Sequence, residues 1–210
     1  MTARRPRAIA EQARHARGLL GRIIAFIMAR ETWAANRRTI DALAITDRDQ
    51  ILDIGCGHGR SLGALAARAP NGKVVGVDPS ELMVKIAARR NRRLAKVSRV
   101  AVRVAGADDL PFPDGGFDRA LCVHVVYFWR QLEGPLREVA RVLKPGGRLA
   151  LYFRTSADAA AVAAFPADVY RFPSLEEMLA ALEAAGFGIE SLDTSGAGDA
   201  GPVLLVALRR

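Results

Sequence analysis

Cysteine is almost missing from this 210-residue chain, with Cys56 and Cys122 the only two. So sparse a pair makes no disulfide-stapled scaffold, and both are expected to remain thiols in a reduced protein. Neither has the histidine, cysteine or acid company of a zinc site, so no metal is expected. No apolar run reaches the ~18 residues that span a bilayer. The nearest candidate, residues 19–29, is interrupted by Gly21 and Arg22. It also lacks a well-placed cleavage site, which argues against a secretory signal and for a cytoplasmic protein. Acids are absent from residues 85–103, which carry eight Lys or Arg, and so are aromatics. Without rings between its charges, that segment is no stacking platform for single-stranded nucleic acid. The sequence has no internal repeat.

Half of the residues are hydrophobic, enough for one domain with a sizeable core. The formal charge of +9 is unevenly spread. Residues 1–38 contribute nine Arg against two Glu, and residues 85–103 contribute +8, so the rest of the chain is acidic. Such concentration fits an anionic lipid surface, nucleic acid, an anionic substrate, or two solvated helix faces.

The most informative segment runs Ile51-Leu52-Asp53-Ile54-Gly55-Cys56-Gly57-His58-Gly59. A short buried strand, a turn with glycine at alternate positions and a helix from Ser61 to Ala69 open a nucleotide-binding α/β unit. A dinucleotide loop wants G-x-G-x-x-G, so that a helix can approach the pyrophosphate. Here Arg60 stands at the last position, and a nucleoside ligand without phosphates fits better than NAD. A second strand, Lys73 to Val77, delivers Asp78 23 residues after Gly55, close to the ~20-residue offset at which an acid reaches a ribose. Asp78-Pro79-Ser80-Glu81 also reads as a helix start, so Asp78 or Ser80 is a cap. Downstream, Leu110-Pro111-Phe112-Pro113-Asp114-Gly115-Gly116-Phe117-Asp118 leads into one strand, and Val142-Leu143-Lys144-Pro145-Gly146-Gly147 into another.

With these four motifs in this order, the chain resembles the class I S-adenosylmethionine-dependent methyltransferases, in the small-molecule branch that includes quinone biosynthesis. The match runs from about Ile51 to Tyr152, with a looser fit beyond. The resemblance implies S-adenosyl-L-methionine as cofactor. It lays Gly55, Cys56 and Gly57 under the methionine part, with Asp53 fixing the loop or the cofactor's ammonium. It gives the ribose to Asp78 beside Pro79, and it places Val123 on the cleft wall. Members often carry Gly-Asp-Ala-Glu before Leu-Pro-Phe, where the Asp and the Ala backbone read adenine. This chain has Gly106 in place of that Asp, which leaves the Ala107 N–H and the Asp108 carboxylate for the task.

From Gln50 onward strands and helices alternate, which argues a parallel sheet with right-handed crossovers. Strands are expected at 51–54, 73–77, 100–104, 118–123 and 148–153, and helices at 61–69, 80–94 and 132–143. Ser174-Leu175-Glu176-Glu177 is a capping box and Gly186 a C′ residue, so 175–185 is a helix. Phe187 to Leu192 and Val203 to Leu208 close the fold as a hairpin, and Ala157 to Ala164 is a short crossover helix. By resemblance the fold is a doubly wound, seven-stranded, mostly parallel sheet of order 3-2-1-4-5-7-6, with strand 7 antiparallel. Residues 46–210 form the methyltransferase domain and residues 1–45 an N-terminal helical cap. Residues 8–44 read as helical, and Leu20, Ile23, Ile24, Ile27 and Met28 give one apolar stripe. Such a stripe covers the cleft as a lid, or lies on a membrane as a peripheral contact.

Open α/β sheets bind ligands at the switch point beyond the carboxyl ends of their strands, here between 51–54 and 118–123. His124, on leaving the second strand, is the candidate general base; otherwise it packs beside the cofactor. Tyr127 orients a substrate or is wall, and Phe128 and Trp129 are lining or core. No Asn/Asp-Pro-Pro-aromatic motif follows this strand, which argues against adenine or cytosine N-methylation. Phe26, Trp33, Phe165, Tyr170 and Phe172 are expected to roof a pocket for a small or medium, partly apolar acceptor, with Arg30, Arg37 and Arg38 favouring an anionic one. The alternatives are a non-catalytic S-adenosylmethionine-binding scaffold and an NAD-dependent oxidoreductase, the latter disfavoured by Arg60.

Overall fold

Runs of Val, Ile and Leu that are buried on both sides need helices over both faces of their sheet, and this chain supplies them. The computed structural model describes residues 6–18, 21, 23, 27, 31–194 and 201–210. Seven strands, β1 Gln50–Ile54, β2 Lys73–Asp78, β3 Val100–Val104, β4 Phe117–Val123, β5 Leu143–Arg154, β6 Phe187–Asp193 and β7 Pro202–Arg209, form one sheet of order β3-β2-β1-β4-β5-β7-β6. The first five are parallel, and β7 runs antiparallel between β5 and β6. This is the expected order. Alternation along β1 divides the core. Leu52 and Ile54 join Leu136, Val139, Met178 and Phe187 on one face. Ile51 joins Ile40, Leu62, Leu65 and Leu121 on the other.

The local signals hold at several ends. Ser174 accepts the Glu177 N–H at 3.0 Å while Glu177 accepts the Ser174 N–H at 2.8 Å, which completes the capping box of the Leu175–Ala184 helix. Gly186 follows in the left-handed region at φ +87°. Asp158 caps the Ala159–Ala164 helix through the Ala161 N–H at 2.9 Å.

Three expectations change. The helix expected over 80–94 splits into Glu81–Arg90 and Arg92–Lys96. Asn91 sits at the junction, and its side-chain amide donates to the Gly59 carbonyl at 2.8 Å, tying the break to the glycine loop. The strand expected from 148 begins at Leu143, with a register irregularity opposite Phe117 and Arg119 that absorbs the Lys-Pro-Gly-Gly turn. The N-terminal region is not one helix. Arg7–Arg14 ends at His15, whose φ and ψ of −149° and 82° are not helical, and Trp33–Ala42 starts after Thr32. Leu20, Ile24 and Met28 of the apolar stripe, with Phe26 and Arg30, lie outside the described residues. Its remaining members, Ile23 and Ile27, are 52% and 50% exposed. Among the described residues of the N-terminal region, Ala10, Ala16, Ala35, Ile40 and Leu43 are buried.

Candidate functional site

β1 and β4 are neighbours whose connections leave in opposite directions, so a crevice opens beyond their carboxyl ends. After β1 the chain turns through Gly55, Gly57 and Gly59, at φ +69°, +52° and +71°. Only glycine holds this region without strain, and the three use it differently. A Cβ on Gly55 would lie 2.3 Å from Val125 Cγ2, and one on Gly59 would lie 2.6 Å from the Ala87 Cβ. A Cβ on Gly57 would meet nothing within 4 Å. The outer glycines let the loop pack closely, and the middle one keeps the crevice floor open.

Two carboxylates anchor this floor. Asp78 accepts the Gly57 N–H at 3.0 Å and the Ser80 N–H at 2.9 Å. Burial raises its pKa, and the N–H groups of Ser80 and Gly57 partly counter that. The capping ambiguity is resolved in favour of Ser80, whose hydroxyl oxygen accepts the Met83 N–H at 3.4 Å. The same hydroxyl donates to the Ala16 carbonyl at 2.8 Å, tying the N-terminal region to the crevice rim. Asp53 is 3% exposed and accepts a hydrogen bond from the Ser61 hydroxyl. Burial, reinforced by the Asp78 charge and opposed by that hydroxyl, pushes its pKa up to about 7. Burial also raises the Cys56 thiol, which is therefore a packing group rather than a nucleophile. Cys56 and Cys122 are both free thiols.

The crevice is a cavity of about 360 Å³. Asp53, Gly55, Cys56, Gly57, Asp78, Pro79, Ala107, Asp108, Val123 and His124 all line it, although they come from four separate chain segments. Gly106 lines it as well, and a Cβ there would lie 2.4 Å from Asp108 Oδ1. The glycine makes room for the neighbouring carboxylate.

The acceptor side departs from the sequence reading. Trp33, Phe128 and Trp129 line the cavity, whereas Phe165, Tyr170 and Phe172 do not. Those three pack on one another and on Tyr127 and Phe128 at centroid distances of 4.5–6.1 Å, because a buried ring cluster removes more apolar surface from water than a pocket roof does. Tyr127 belongs to this cluster and does not face the cavity. Arg37 is exposed, and Arg38 pairs with Asp193 at 2.8 Å; neither lines the cavity. Among the described residues the cationic side chains that do are Arg14 and Arg60, the latter stacked 4.1 Å over the Trp33 ring. Gln12, His15, Asn36 and Met83 complete the wall from segments carrying no motif, so proximity in the fold is their only signal.

The family model described as "Methyltransferase domain" matches residues 52–151. An uncharacterized methyltransferase, YdaC, of Bacillus subtilis is 32% identical over 166 residues, covering 79% of this chain and 86% of that protein. A demethylmenaquinone methyltransferase of Thermus thermophilus is 33% identical over 199 residues, covering 81% of this chain and 87% of that protein. A solved structure of geranyl diphosphate methyltransferase in complex with SAM aligns with a TM-score of 0.71 at 21% identity, over 84% of this chain and 85% of that one. At that identity the likeness concerns the fold.

Proposed function

This chain belongs to the S-adenosylmethionine-dependent methyltransferases, and on that premise we propose that it methylates a small or medium, partly apolar acceptor in the cleft between β1 and β4. The observation that carries this reading is the convergence of all nine cofactor residues expected from the motifs on one cavity of about 360 Å³. The residues fit the group. The open space above Gly57 admits a ligand against the backbone, and the fixed Asp78 carboxylate presents acceptors for ribose hydroxyls. In the proposed arrangement Gly55, Cys56 and Gly57 hold the methionine portion, with Asp53 bracing the loop through Ser61. Asp78 and Pro79 hold the ribose, while the Ala107 N–H and Asp108 read adenine and Val123 closes the wall.

The bound cofactor supplies an electrophilic methyl on sulfonium sulfur, open to in-line displacement. The chain's own residues bind, align and exclude water, which can carry much of such an acceleration. Trp33, Phe128 and Trp129 give the acceptor apolar walls, and Arg14 and Arg60 give it positive charge. The relatives' names support a small-molecule acceptor, one of them a demethylmenaquinone. Incubation with methyl-labelled cofactor and a panel of phenols, hydroquinones, thiols and amines tests the reading. Label transfer to a small molecule supports it. Tight binding of S-adenosylhomocysteine with no transfer to any acceptor would favour the scaffold instead.

A further inference from the structure

The groups around His124 decide a question that the sequence leaves open. His124 directly follows β4 and stands in the left-handed region at φ +59°. That conformation costs a non-glycine residue energy, and histidine is among those that tolerate it best. Its N–H donates to the Tyr152 carbonyl at 2.8 Å, which fixes the turn. The ring is edge-on to Tyr152, with centroids 5.2 Å apart, and lies against Tyr127.

Its Nδ1 is 2.9 Å from the Tyr127 hydroxyl. That hydroxyl also accepts the Arg154 N–H at 2.7 Å. Tyr127 is 4% exposed, and among the described residues its hydroxyl has no hydrogen-bond partner besides these two. The phenol proton therefore points to Nδ1, which must present its lone pair. A neutral imidazole carries one proton, so that proton sits on Nε2. Among the described residues nothing pairs with Nε2. His124 lines the cavity, and Nε2 is its ring nitrogen left without a partner.

We propose that Tyr127 is a positioning residue that locks His124 as the Nε2–H tautomer, so that His124 is a permanent hydrogen-bond donor to an oxygen of the methyl acceptor and not a general base. This deepens the methyltransferase reading and rests on it for the word acceptor; the tautomer itself does not. Any proton that the acceptor loses on methylation leaves to water. The charged and titratable groups around the ring agree with a neutral form. Arg154 and Tyr152 face it from β5 and Tyr127 from the turn after β4, and Arg14, Arg60, Asp53 and Asp78 line the same cavity. Burial first, and then the Arg154 charge, lower its pKa to about 4.

The chain has three histidines, so ¹⁵N-histidine labelling gives three ring spin systems, and His124→Gln assigns the one of interest. Long-range ¹H–¹⁵N spectra of the wild type should show Nε2–H for His124, unmoved from pH 8 to pH 5.5. Tyr127→Phe should release a tautomer mixture, while burial and the Arg154 charge keep the midpoint below the ordinary ~6.5. An Nδ1–H wild type, or a wild-type midpoint near that ordinary value, overturns the lock. If Tyr127→Phe does not fold, the wild-type spectrum decides alone. The donor role is tested with 2-naphthol in the presence of S-adenosylhomocysteine. Binding should shift Nε2, His124→Leu should weaken it ~3–10-fold, and His124→Gln, which keeps an N–H, should recover most of the loss. No binding, or binding that leaves Nε2 unmoved, overturns the donor role. Calorimetry with S-adenosylhomocysteine alone separately reports on the cofactor site, so the two failures are distinguishable.

Discussion

Replacing Asp78 with alanine tests the cofactor site most directly, because its costs can be worked out separately. The carboxylate is 9% exposed and accepts N–H groups from Gly57 and Ser80 at 3.0 and 2.9 Å. In the variant the Ser80 N–H, on a residue 1% exposed, loses its partner, at a cost of ~1–3 kcal/mol. The Gly57 N–H borders the open cavity and regains water. Relief of the buried charge, seen in the raised pKa of Asp78, offsets part of the loss. A net ~1–2 kcal/mol lowers Tm by about 2–8 °C for a chain this size, which leaves a folded protein to assay. Affinity should fall further than this implies, because the ribose hydroxyls lose charge-assisted acceptors worth ~1.5–3 kcal/mol. That is a ~10–150-fold weaker Kd for S-adenosylhomocysteine by calorimetry, with NAD giving no heat in either protein. A folded Asp78→Ala protein that binds within twofold of wild type would refute the ribose assignment.

Further outcomes follow from the same geometry. Gly57→Ala has room for its methyl, so it should melt only ~1–2 kcal/mol lower from left-handed strain yet bind S-adenosylhomocysteine poorly; normal binding would mean that the floor above Gly57 is not the ligand's place. Asp53 has its pKa raised from the ordinary 3.8 to about 7, so the folded chain holds that proton more tightly and wild-type stability falls as pH rises across this window, then levels off. Asp53→Asn removes the fall, and its advantage in urea melts should be larger at pH 8 than at pH 4.5; the reverse order would contradict the sign. Ser174→Ala should cost ~1 kcal/mol of stability through loss of the capping box without changing ligand binding, which thermal melts and calorimetry check together. Removing residues 1–31 deletes the Ala16 contact to Ser80 while keeping buried Ala35, Thr39 and Ile40. The sheet should still fold and ligand affinity should drop. Unchanged affinity together with lost liposome binding would point to a membrane contact instead.

Sequence alone determined the alternation of strands and helices, the glycine loop and the acid at Asp78, because these depend on local chemistry, while the strand order came from the family resemblance and is seen in the assembled sheet. A left-handed turn needs glycine, a buried strand needs an aliphatic run, and a capping box needs Ser174 and Glu177 three residues apart. The nine residues to which the resemblance gives the cofactor lie within or just beyond β1 to β4, so the sequence could name them before the sheet brought them to one cavity. The acceptor side was not. Aromatic residues look alike whether they line a pocket or pack on one another, and only the fold sent Phe165, Tyr170 and Phe172 into the cluster around Tyr127 while leaving Trp33 and Trp129 on the cavity. Arginines carry the same charge wherever they point, and only the fold tied Arg38 to Asp193 and brought Arg14 and Arg60 to the cleft. The role of His124 rests on the backbone N–H of Arg154, 30 residues away and on the neighbouring strand, which turns the Tyr127 proton toward the imidazole. Register between β4 and β5 sets that hydrogen bond, and register is a property of the assembled sheet rather than of either segment.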